Sequence, residues 1–214
     1  MIGSLTTAST DGGGFVDPVP DFIFNYRLDG NDSALTGVNS PTIVAGIELP
    51  DKKATNFNGV DQYYNSSDLA LTNVAAGAFS VVVRFRTTAS TSRVLFSTGN
   101  GADATTFRLR ATGTGFIQMR ISGVNLATAT SGLNDGDWHQ AVYTYTGSGG
   151  AAIVYIDGAS NNSATAQAYN LTGTGELQVG AQTGASLLDG DMDGVRFYDR
   201  ALTPTEVTAL NNNV

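Results

Sequence analysis

Carboxylate side chains are the groups in this sequence most often used for hydrolysis, and their spacing argues against that use. Retaining glycoside hydrolysis requires two carboxyl groups about 5–5.5 Å apart. The three glutamates, Glu48, Glu176 and Glu206, each stand alone in the sequence, and nothing points to an inverting pair of aspartates. We therefore expect no glycoside hydrolysis.

Nucleophilic and metal-dependent catalysis also lack their usual residues. The single histidine, His139, has no second imidazole and no paired nucleophile to work with, so we expect it to be structural. The chain contains neither a Gly-x-Ser-x-Gly elbow nor a Walker loop. It has no cysteine, which excludes disulfides, thiol catalysis and thiolate metal sites. The sequence predicts that the protein is not an enzyme.

Asp193 is the acid with the most informative position. On a predicted strand, 192–198, it shares parity with Val195 and Phe197, which we expect to face the core. An inward carboxylate must be matched by hydrogen bonds or by a cation, because burying it bare is costly. Both interpretations stay open, whereas Asp189 and Asp191 are interpreted as solvated turn residues.

Six of the nine arginines fall on the outward parity of predicted strands. These are Arg84, Arg86, Arg108, Arg110, Arg120 and Arg196. If several share one sheet face they form a basic stripe, and the guanidinium group binds carboxylate and sulfate in a bidentate manner. The alternative is that they only solvate the sheet and discourage edge pairing. We take Arg108 and Arg110 as candidate ligand-binding residues.

Tyrosine rings are the aromatic groups here that could stack on sugar rings. Tyr63 and Tyr64 are the candidates that we assign to ligand binding. The competing explanation for most of the tyrosines is core packing with a hydrogen-bonded hydroxyl. Trp138 is expected to be a core residue.

Hydrophobic alternation places these residues on β-strands. In the segment 79–86 the residues Phe79, Val81, Val83 and Phe85 alternate with polar residues, as in a strand with one buried face. Similar patterns predict strands at 22–27, 94–97, 105–111, 116–121, 138–146, 151–157, 177–180 and 192–198.

Turn residues separate these segments and favour an antiparallel arrangement. Thr-Gly-Thr-Gly at 112–115, Gly-Ser-Gly-Gly at 147–150 and Asp157-Gly158 are typical of hairpins. One helix is indicated, where Thr203, Pro204 and Glu206 form a capping box with proline at the first helical position. We expect this helix to end near Leu210. The fold class predicted is all-β, with one short C-terminal helix.

Composition limits the possible partners. The chain has 214 residues and a formal net charge of −8, which argues against general nucleic-acid binding. No apolar run approaches the roughly 20 residues of a membrane-spanning helix. Residues 1–15 lack the basic and apolar regions of a signal peptide, so we expect no export by the usual route.

Four motifs in order carry a resemblance to a known family. Residues 57–63 (FNGVDQY), 137–143 (DWHQAVY), 153–158 (IVYIDG) and 188–207 (LDGDMDGVRFYDRALTPTEV) resemble the conserved stretches of laminin-G-like and pentraxin-like domains. These domains are concanavalin A-like jelly rolls. The resemblance covers about residues 22–212 and implies a two-sheet antiparallel jelly-roll sandwich. It leaves the ligand open.

The resemblance also implies candidate metal ligands. In related glucanases the aspartate at the position of Asp193 helps to hold a structural calcium ion, and Asn58–Gly59 most resembles the family's carbonyl donor. In pentraxin-like members calcium binds to rim loops, and 99–103 resembles the first of these loops, with Asp103 as a ligand. The partner loop, 181–186, lacks the expected acidic cluster. A structural Ca²⁺ at Asp193 is the cofactor that we predict.

The resulting hypothesis is a non-catalytic binding or structural module. We expect a flexible N-terminal arm, 1–20, which contains a glycine hinge and two prolines, followed by the sandwich, 21–214. The composition resembles that of a bacteriophage virion protein that decorates a capsid or forms part of a tail. Its partner would be a viral capsid or tail protein, or a cell-surface glycan, and the hypothesis allows a homo-oligomer. The alternative is an extracellular carbohydrate-binding lectin; neither predicts nucleic-acid binding or membrane insertion.

Overall fold

The computed structural model describes most of the chain between residues 19 and 213. The described residues are 19, 24–26, 28, 35–47, 52–66, 77–98, 107–121, 124–167 and 177–213. Statements below on the structure refer to these residues.

The described residues form strands and one helix. The strands are β1 (Phe24–Tyr26), β2 (Thr36–Val38), β3 (Thr42–Ala45), β4 (Lys53–Asn58), β5 (Tyr63–Ser66), β6 (Phe79–Arg86), β7 (Arg93–Thr98), β8 (Phe107–Ala111), β9 (Ile117–Ile121), β10 (Val124–Ala127), β11 (His139–Tyr145), β12 (Gly150–Ile156), β13 (Ala159–Gln167), β14 (Leu177–Val179) and β15 (Asp189–Tyr198). The helix is α1 (Pro204–Asn211).

The strands build two antiparallel sheets. The first sheet has the order β13-β12-β11-β6-β15-β4-β3, and β1 pairs with β15 outside this path. The second sheet has the order β10-β9-β8-β7-β14-β5-β2. This is the two-sheet antiparallel jelly-roll sandwich, with one short C-terminal helix, that the sequence predicts.

Alternating burial explains why the second sheet forms as it does. Phe107, Leu109 and Ala111 on β8 are buried, while Arg108 and Arg110 between them are half-buried. Strand β9 repeats the pattern, so one face of each strand enters the core between the sheets and the other carries polar groups. Removing this apolar surface from water stabilises the sandwich.

The first sheet is buried on both sides along part of its length. Inner residues such as Phe79 and Phe197, whose rings stack with centroids 5.8 Å apart, belong to the main core. On the outer side Val82, Val142 and Tyr198 pack in a second cluster with Val207 and other residues of the helix region. For this reason β6 is buried at nearly every position instead of at every second one.

The helix begins as its sequence predicts. The Thr203 hydroxyl accepts a hydrogen bond from the Glu206 backbone, and the Glu206 carboxylate accepts one from the Thr203 backbone. A hydrogen bond from Arg200 lowers the pKa of Glu206 to about 2. Glu206 is therefore a capping residue. Within the described residues, no helix has the length and apolar character needed to cross a membrane.

Several boundaries differ from prediction. The family-like motif at 57–63 crosses a hairpin, because β4 ends at Asn58 and β5 begins at Tyr63. The stretch 192–198 is the second part of a longer strand that begins at Asp189. Strands β2, β3, β10 and β13 carry short, exposed or polar sequences and were not predicted.

Val19 belongs to the packed domain. It is buried in the second cluster, and its carbonyl accepts a hydrogen bond from the Tyr198 hydroxyl at 3.1 Å. The remaining residues of the predicted arm, 1–18 and 20, lie outside the described residues. The division into arm and sandwich thus stays a prediction, with Val19 on the sandwich side.

Candidate functional site

A row of polar side chains crosses the outer face of the second sheet. Strand pairing places Arg120 opposite Arg108, Arg108 opposite Ser97, Ser97 opposite Gln178, and Gln178 opposite Asn65. We call these five residues the polar row. Neighbouring strands lie about 4.8 Å apart, so the row is about 19 Å long. The same register continues to Asn125 on β10 and to Thr36 on β2.

A turn at 181–186 holds the middle of the polar row. The Ser97 hydroxyl donates to the Ala181 carbonyl at 2.7 Å, and Arg108 Nη1 donates to Gln182 Oε1 at 2.8 Å. The Gly184 amide donates to Gln178 Oε1 at 3.2 Å. These bonds fix the orientation of side chains from three strands, which reduces the entropy lost when a ligand binds.

Arg110 lies beside the polar row on β8. Its Nε donates to Gln118 Oε1 at 2.7 Å, while its Nη atoms have no hydrogen-bond partner among the described residues. A guanidinium held at one edge presents the other edge as a fork for a carboxylate or for neighbouring hydroxyls. The outward parity predicted for Arg108 and Arg110 is therefore confirmed by the pattern of burial on β8; ligand binding by them stays a proposal.

The two candidate tyrosines face opposite sides of β5. Tyr63 lies beside the turn, since a Cβ on Gly184 would be 3.6 Å from its hydroxyl. Tyr64 packs against the core, with its ring edge-to-face on Phe57 at 5.8 Å and its hydroxyl 3.4 Å from Thr55 Oγ1. Neighbouring residues on a strand point to opposite faces. Tyr64 is thus corrected from a surface ligand residue to a core residue.

The six arginines do not form one stripe. Arg108, Arg110 and Arg120 lie on the second sheet, whereas Arg84, Arg86 and Arg196 lie on the first. Arg84 and Arg196 are buried, at 3% and 4% exposure, because the outer face of the first sheet is partly covered. Parity along a strand predicts the face of a side chain but not which sheet the strand joins.

The glutamine partners in this region were missed by sequence reasoning. Gln178 and Gln182 follow no motif, and Gln178 becomes part of the polar row only through the pairing of β14 with β7 and β5. Their amides and the arginines provide alternating hydrogen-bond donors and acceptors. The sequence offered one signal for this region: 181–186 lacks the acidic residues of a calcium-binding loop.

Asp193 lies where β15 changes its neighbour. Strand β15 pairs with β4 up to Met192 and with β1 from Val195, and a bulge relative to β6 falls between Met192 and Gly194. The bulge interrupts the alternation, so Met192 and Val195 both enter the core. Asp193, 2% exposed, accepts a hydrogen bond from the Ile47 amide. Its burial is as predicted, but its parity is not.

The other predicted metal ligands are not beside Asp193. Asn58 pairs with Asp189, four residues from Asp193 along β15, which corresponds to about 13 Å, and Gly59 also contacts Asp189. This corrects the ligand set, because one ion cannot span that distance. Asp103 lies outside the described residues. No group of three or more His, Asp or Glu side chains that could hold a metal occurs within the described ranges.

One oxygen does approach Asp193. A Cβ on Gly46 would lie 2.6 Å from Asp193 Oδ2 and 2.6 Å from the Lys53 carbonyl oxygen. Any side chain at residue 46 would collide with both groups, so glycine is required here. Asp193 and the Lys53 carbonyl are oxygen groups of the types that calcium binds, and they supply only two of the roughly six to eight ligands that the ion takes.

A second polar cluster occupies the first sheet. Arg86 Nε donates to Asp191 Oδ2 at 2.5 Å, Asn56 Nδ2 donates to Asp191 Oδ1 at 2.7 Å, and the guanidinium lies 5.0 Å from the Trp138 ring centroid. We call Arg86, Trp138, Asp191 and Asn56 the Arg86 cluster.

Two sequence predictions are corrected by this cluster. Trp138 is half-buried rather than a core residue, and Asp191 is a buried strand residue rather than a solvated turn residue.

His139 is held between two carboxylates. Nδ1 lies 2.8 Å from Asp157 Oδ2, and Nε2 lies 3.2 Å from Asp135 Oδ1. The hydrogen bond with Asp157 raises the pKa of His139 above its usual value, against the effect of partial burial. Its ring also packs near Phe85. This arrangement fits the structural role expected of the histidine.

Sequence comparison identifies relatives for most of the sandwich. A family model described as the concanavalin A-like lectin/glucanases superfamily matches residues 58–208. A stretch of 102 residues is 30% identical to the Rattus norvegicus protein "Sushi, von Willebrand factor type A, EGF and pentraxin domain-containing protein 1", and 29% identical to that of Mus musculus. The match covers 43% of this chain but 3% of either relative, so the chain spans a small part of their length.

Solved structures share the fold at low identity. Domain 4 of AbnA, an extracellular arabinanase from Geobacillus stearothermophilus in complex with arabinotriose, has a TM-score of 0.68 and 19% identity over 89% of this chain and 98% of that one. The Ruminococcus gnavus IT-sialidase CBM40 bound to α2,3-sialyllactose has a TM-score of 0.60 and 18% identity over 79% and 98%. The binding domain of Paraclostridial Mosquitocidal Protein 1 has a TM-score of 0.66 and 15% identity over 86% and 48%.

Proposed function

The chain belongs to the concanavalin A-like lectin/glucanases superfamily, and from this premise we propose that it is a non-catalytic, lectin-like module that binds glycans. The observation that carries the proposal is the polar row, whose middle, Ser97 and Gln178, is buried beneath the turn at 181–186 and whose arginines beside that turn are half-buried. Structural relatives bound to arabinotriose and to sialyllactose support a saccharide as the ligand.

The ligand proposed for the polar row is a glycan that carries an acidic group. Arg108 and Arg110 offer charged donors two residues apart on β8, and guanidinium groups favour carboxylate or sulfate over neutral oxygens. Gln178 Nε2 donates to Asn65 Oδ1 at 2.9 Å, which orients the half-buried Asn65 amide so that its NH₂ group can donate to a hydroxyl group further along the sheet. The Tyr63 ring beside the turn at 181–186 would stack on a sugar ring.

The test is a binding measurement with acidic and neutral forms of one glycan. Sialyllactose and lactose are titrated into the protein by calorimetry. We expect sialyllactose to bind more tightly, and Arg110→Gln to weaken it about tenfold, as for the loss of one charge-assisted hydrogen bond. Lys53→Gln, which removes an exposed positive charge from the first sheet, is the matched control. A glycan array extends the search to sulfated and other carboxylated glycans.

If no acidic glycan on the array binds, or if Arg110→Gln and Lys53→Gln weaken binding equally, the polar row is not the site. Sustained release of reducing sugar from β-glucans or galactans by the purified protein would contradict the non-catalytic part.

We also propose a location for the module. A virion protein that decorates a capsid or forms part of a tail is supported by a composition with 26 glycines and no cysteine, the alternative being an extracellular lectin that binds cell-surface glycans. Residues 1–20 would attach it to a capsid or tail protein. Co-sedimentation with particles of the parent virus, lost when residues 1–18 are deleted and the packed Val19 is kept, is the expected result for a virion protein.

A structural calcium ion at Asp193 is a further proposal. Asp193 and the Lys53 carbonyl would supply two oxygen ligands beside Gly46. Calcium prefers oxygen ligands and accepts irregular geometries. Bound there, the ion would join β15 to the β3–β4 hairpin.

A further inference from the structure

Part of the outer face of the first sheet is not covered by the helix. Arg86, Asp191, Asn56 and Thr42 are paired across four strands, β6, β15, β4 and β3. Trp138 directly precedes β11, which is the neighbour of β6 on the other side. The Arg86 side chain is 39% exposed, Thr42 is exposed, and Trp138 and Asn56 are half-buried. This end of the sheet is accessible among the described residues.

Arg86 is fixed on two sides. Its guanidinium lies over the Trp138 ring, and its Nε is bonded to Asp191. Its Nη atoms have no hydrogen-bond partner among the described residues. A guanidinium that is already immobilised loses little entropy when it binds a ligand. The Nη atoms of Arg86 can therefore donate hydrogen bonds to a ligand at low entropic cost.

Asn56 supplies the complementary group. Its Nδ2 donates to Asp191 Oδ1 at 2.7 Å, which fixes the amide plane, and its Oδ1 has no partner among the described residues. Arg86 and Asn56 are two strands apart, or about 10 Å. The cluster therefore presents oriented donors and an oriented acceptor, next to an aromatic ring whose apolar surface can contact C–H groups.

Local charge selects the type of ligand. The positive charge of Arg86 is matched by Asp191 at 2.5 Å, and Asp189, exposed on the same strand, adds a negative charge. An anion would meet this excess of negative charge. The hydroxyl groups of a sugar carry no charge and would not be repelled. A hydroxyl group can both accept a hydrogen bond from a guanidinium and donate one to an amide oxygen.

We propose that the Arg86 cluster is a second saccharide site, separate from the polar row and specific for neutral sugars. The sugar hydroxyls accept from Arg86 Nη and donate to Asn56 Oδ1, while Trp138 and Arg86 form one wall. Asp191 touches Arg86 and Asn56 and acts as a positioning residue. The inference goes beyond the glycan binding proposed above, and the two sites lie on different sheets.

The sole tryptophan of the chain makes this site testable on its own. Trp138 lies in the cluster, whereas the polar row is on the opposite sheet. Neutral trisaccharides of glucose, galactose, mannose and arabinose are titrated while Trp138 fluorescence is recorded. We expect at least one to change the emission with saturation. Asn56→Ala and Arg86→Lys should each weaken that response about tenfold, and Arg110→Gln should leave it unchanged.

Two results would overturn the proposal. One is that no trisaccharide changes the fluorescence or produces binding heat in the Arg110→Gln variant. The other is a response that persists unweakened in both Asn56→Ala and Arg86→Lys, after thermal melting shows that the variants are folded. Acidic-glycan binding that is lost in Arg110→Gln tests the polar row separately, so failure of one site is distinguishable from failure of the other.

Discussion

Asp191 and Asp193 show how the surroundings of a residue decide its role. Both are buried on β15. Asp191 bonds to Arg86 and Asn56, whereas Asp193 accepts from the Ile47 amide. A buried carboxylate needs such partners, since desolvation without them is costly. Asp191 sits at a regularly paired position of β15, and Asp193 sits in the bulge, close to Gly46.

The calcium proposal is tested through Asp193. Chelation with EDTA should lower the Tm of the wild-type protein by a few degrees, because an ion that binds only the folded state stabilises it. In a domain of this size about 1 kcal/mol corresponds to roughly 2–4 °C. Asp193→Asn should abolish the response, and Asp191→Asn should retain it. An unchanged melting curve together with no calcium in metal analysis would refute the site.

The His139 contacts predict how stability depends on pH. Because Asp157 and Asp135 raise the pKa of His139 in the folded state, the folded protein binds the proton more tightly than the unfolded chain. This contribution is complete below the unfolded pKa of about 6.5 and is lost as the pH rises through the folded pKa. We expect Tm to fall as the pH rises above about 6.5, and His139→Gln to flatten this slope. Identical slopes would contradict the interpretation.

Strands with one solvated face could be predicted from sequence, and strands in other settings could not. On β8 and β9 the alternation of apolar and polar residues matches burial position by position. On β6 the same pattern placed Arg84 and Ser80 in solvent, yet both are buried. The cause is the cover of the outer face by the C-terminal segment: Arg200 and Leu202 bond to Ser80, and the end of α1 bonds to Arg84. Local periodicity does not contain such contacts between distant parts of the chain.

The candidate sites show the same limit. The parity of Arg108 and Arg110 followed from the sequence, but the polar row depends on which strands become neighbours. The bulge at Asp193 also depends on pairing, because β15 exchanges β4 for β1 there. Trp138 was placed in the core on its residue type, and its stacking with Arg86 requires the pairing of β11 with β6.

Arg84 explains how the helix is attached to the first sheet. Its guanidinium donates to the Leu210 carbonyl and, at 3.2 Å, to the Asn213 carbonyl, so a positive charge sits at the C-terminal end of α1, where it is favourable. Arg84→Met should lower the free energy of unfolding by about 2 kcal/mol and accelerate amide exchange in α1. Arg110→Met is the control on the other sheet. Unaltered exchange in α1 would show that the bonds are not needed.

On the scale of the whole molecule, the two outer faces differ. The second sheet carries the polar row, half-buried at its ends and buried at Ser97 and Gln178, while the first is shared between the second hydrophobic cluster and the Arg86 cluster. Val19 is distant in sequence from the rest of that hydrophobic cluster. Its side chain packs in the cluster, and its carbonyl accepts a hydrogen bond from the Tyr198 hydroxyl. The packed unit therefore extends to Val19, and the predicted boundary at residue 20 cuts through it.

Two truncations locate this boundary. Deletion of residues 1–18 should leave Tm within a few degrees of wild type. Deletion of residues 1–20 should lower the free energy of unfolding by about 1–3 kcal/mol, because it removes a buried valine and the acceptor of the Tyr198 hydroxyl. Equal stability of the two truncated proteins would show that Val19 contributes nothing, and unfolding of both would place the boundary before residue 19.

The central place of β15 has a consequence for biosynthesis. Its partners β1, β4 and β6 are all translated well before it. Until it leaves the ribosome, β6 and β4 have no strand between them, so the nascent first sheet stays open. Closure of that sheet therefore waits for β15, and its pairing of distant segments is expected to be slow. During that interval the exposed strand edges are what a holding chaperone would bind.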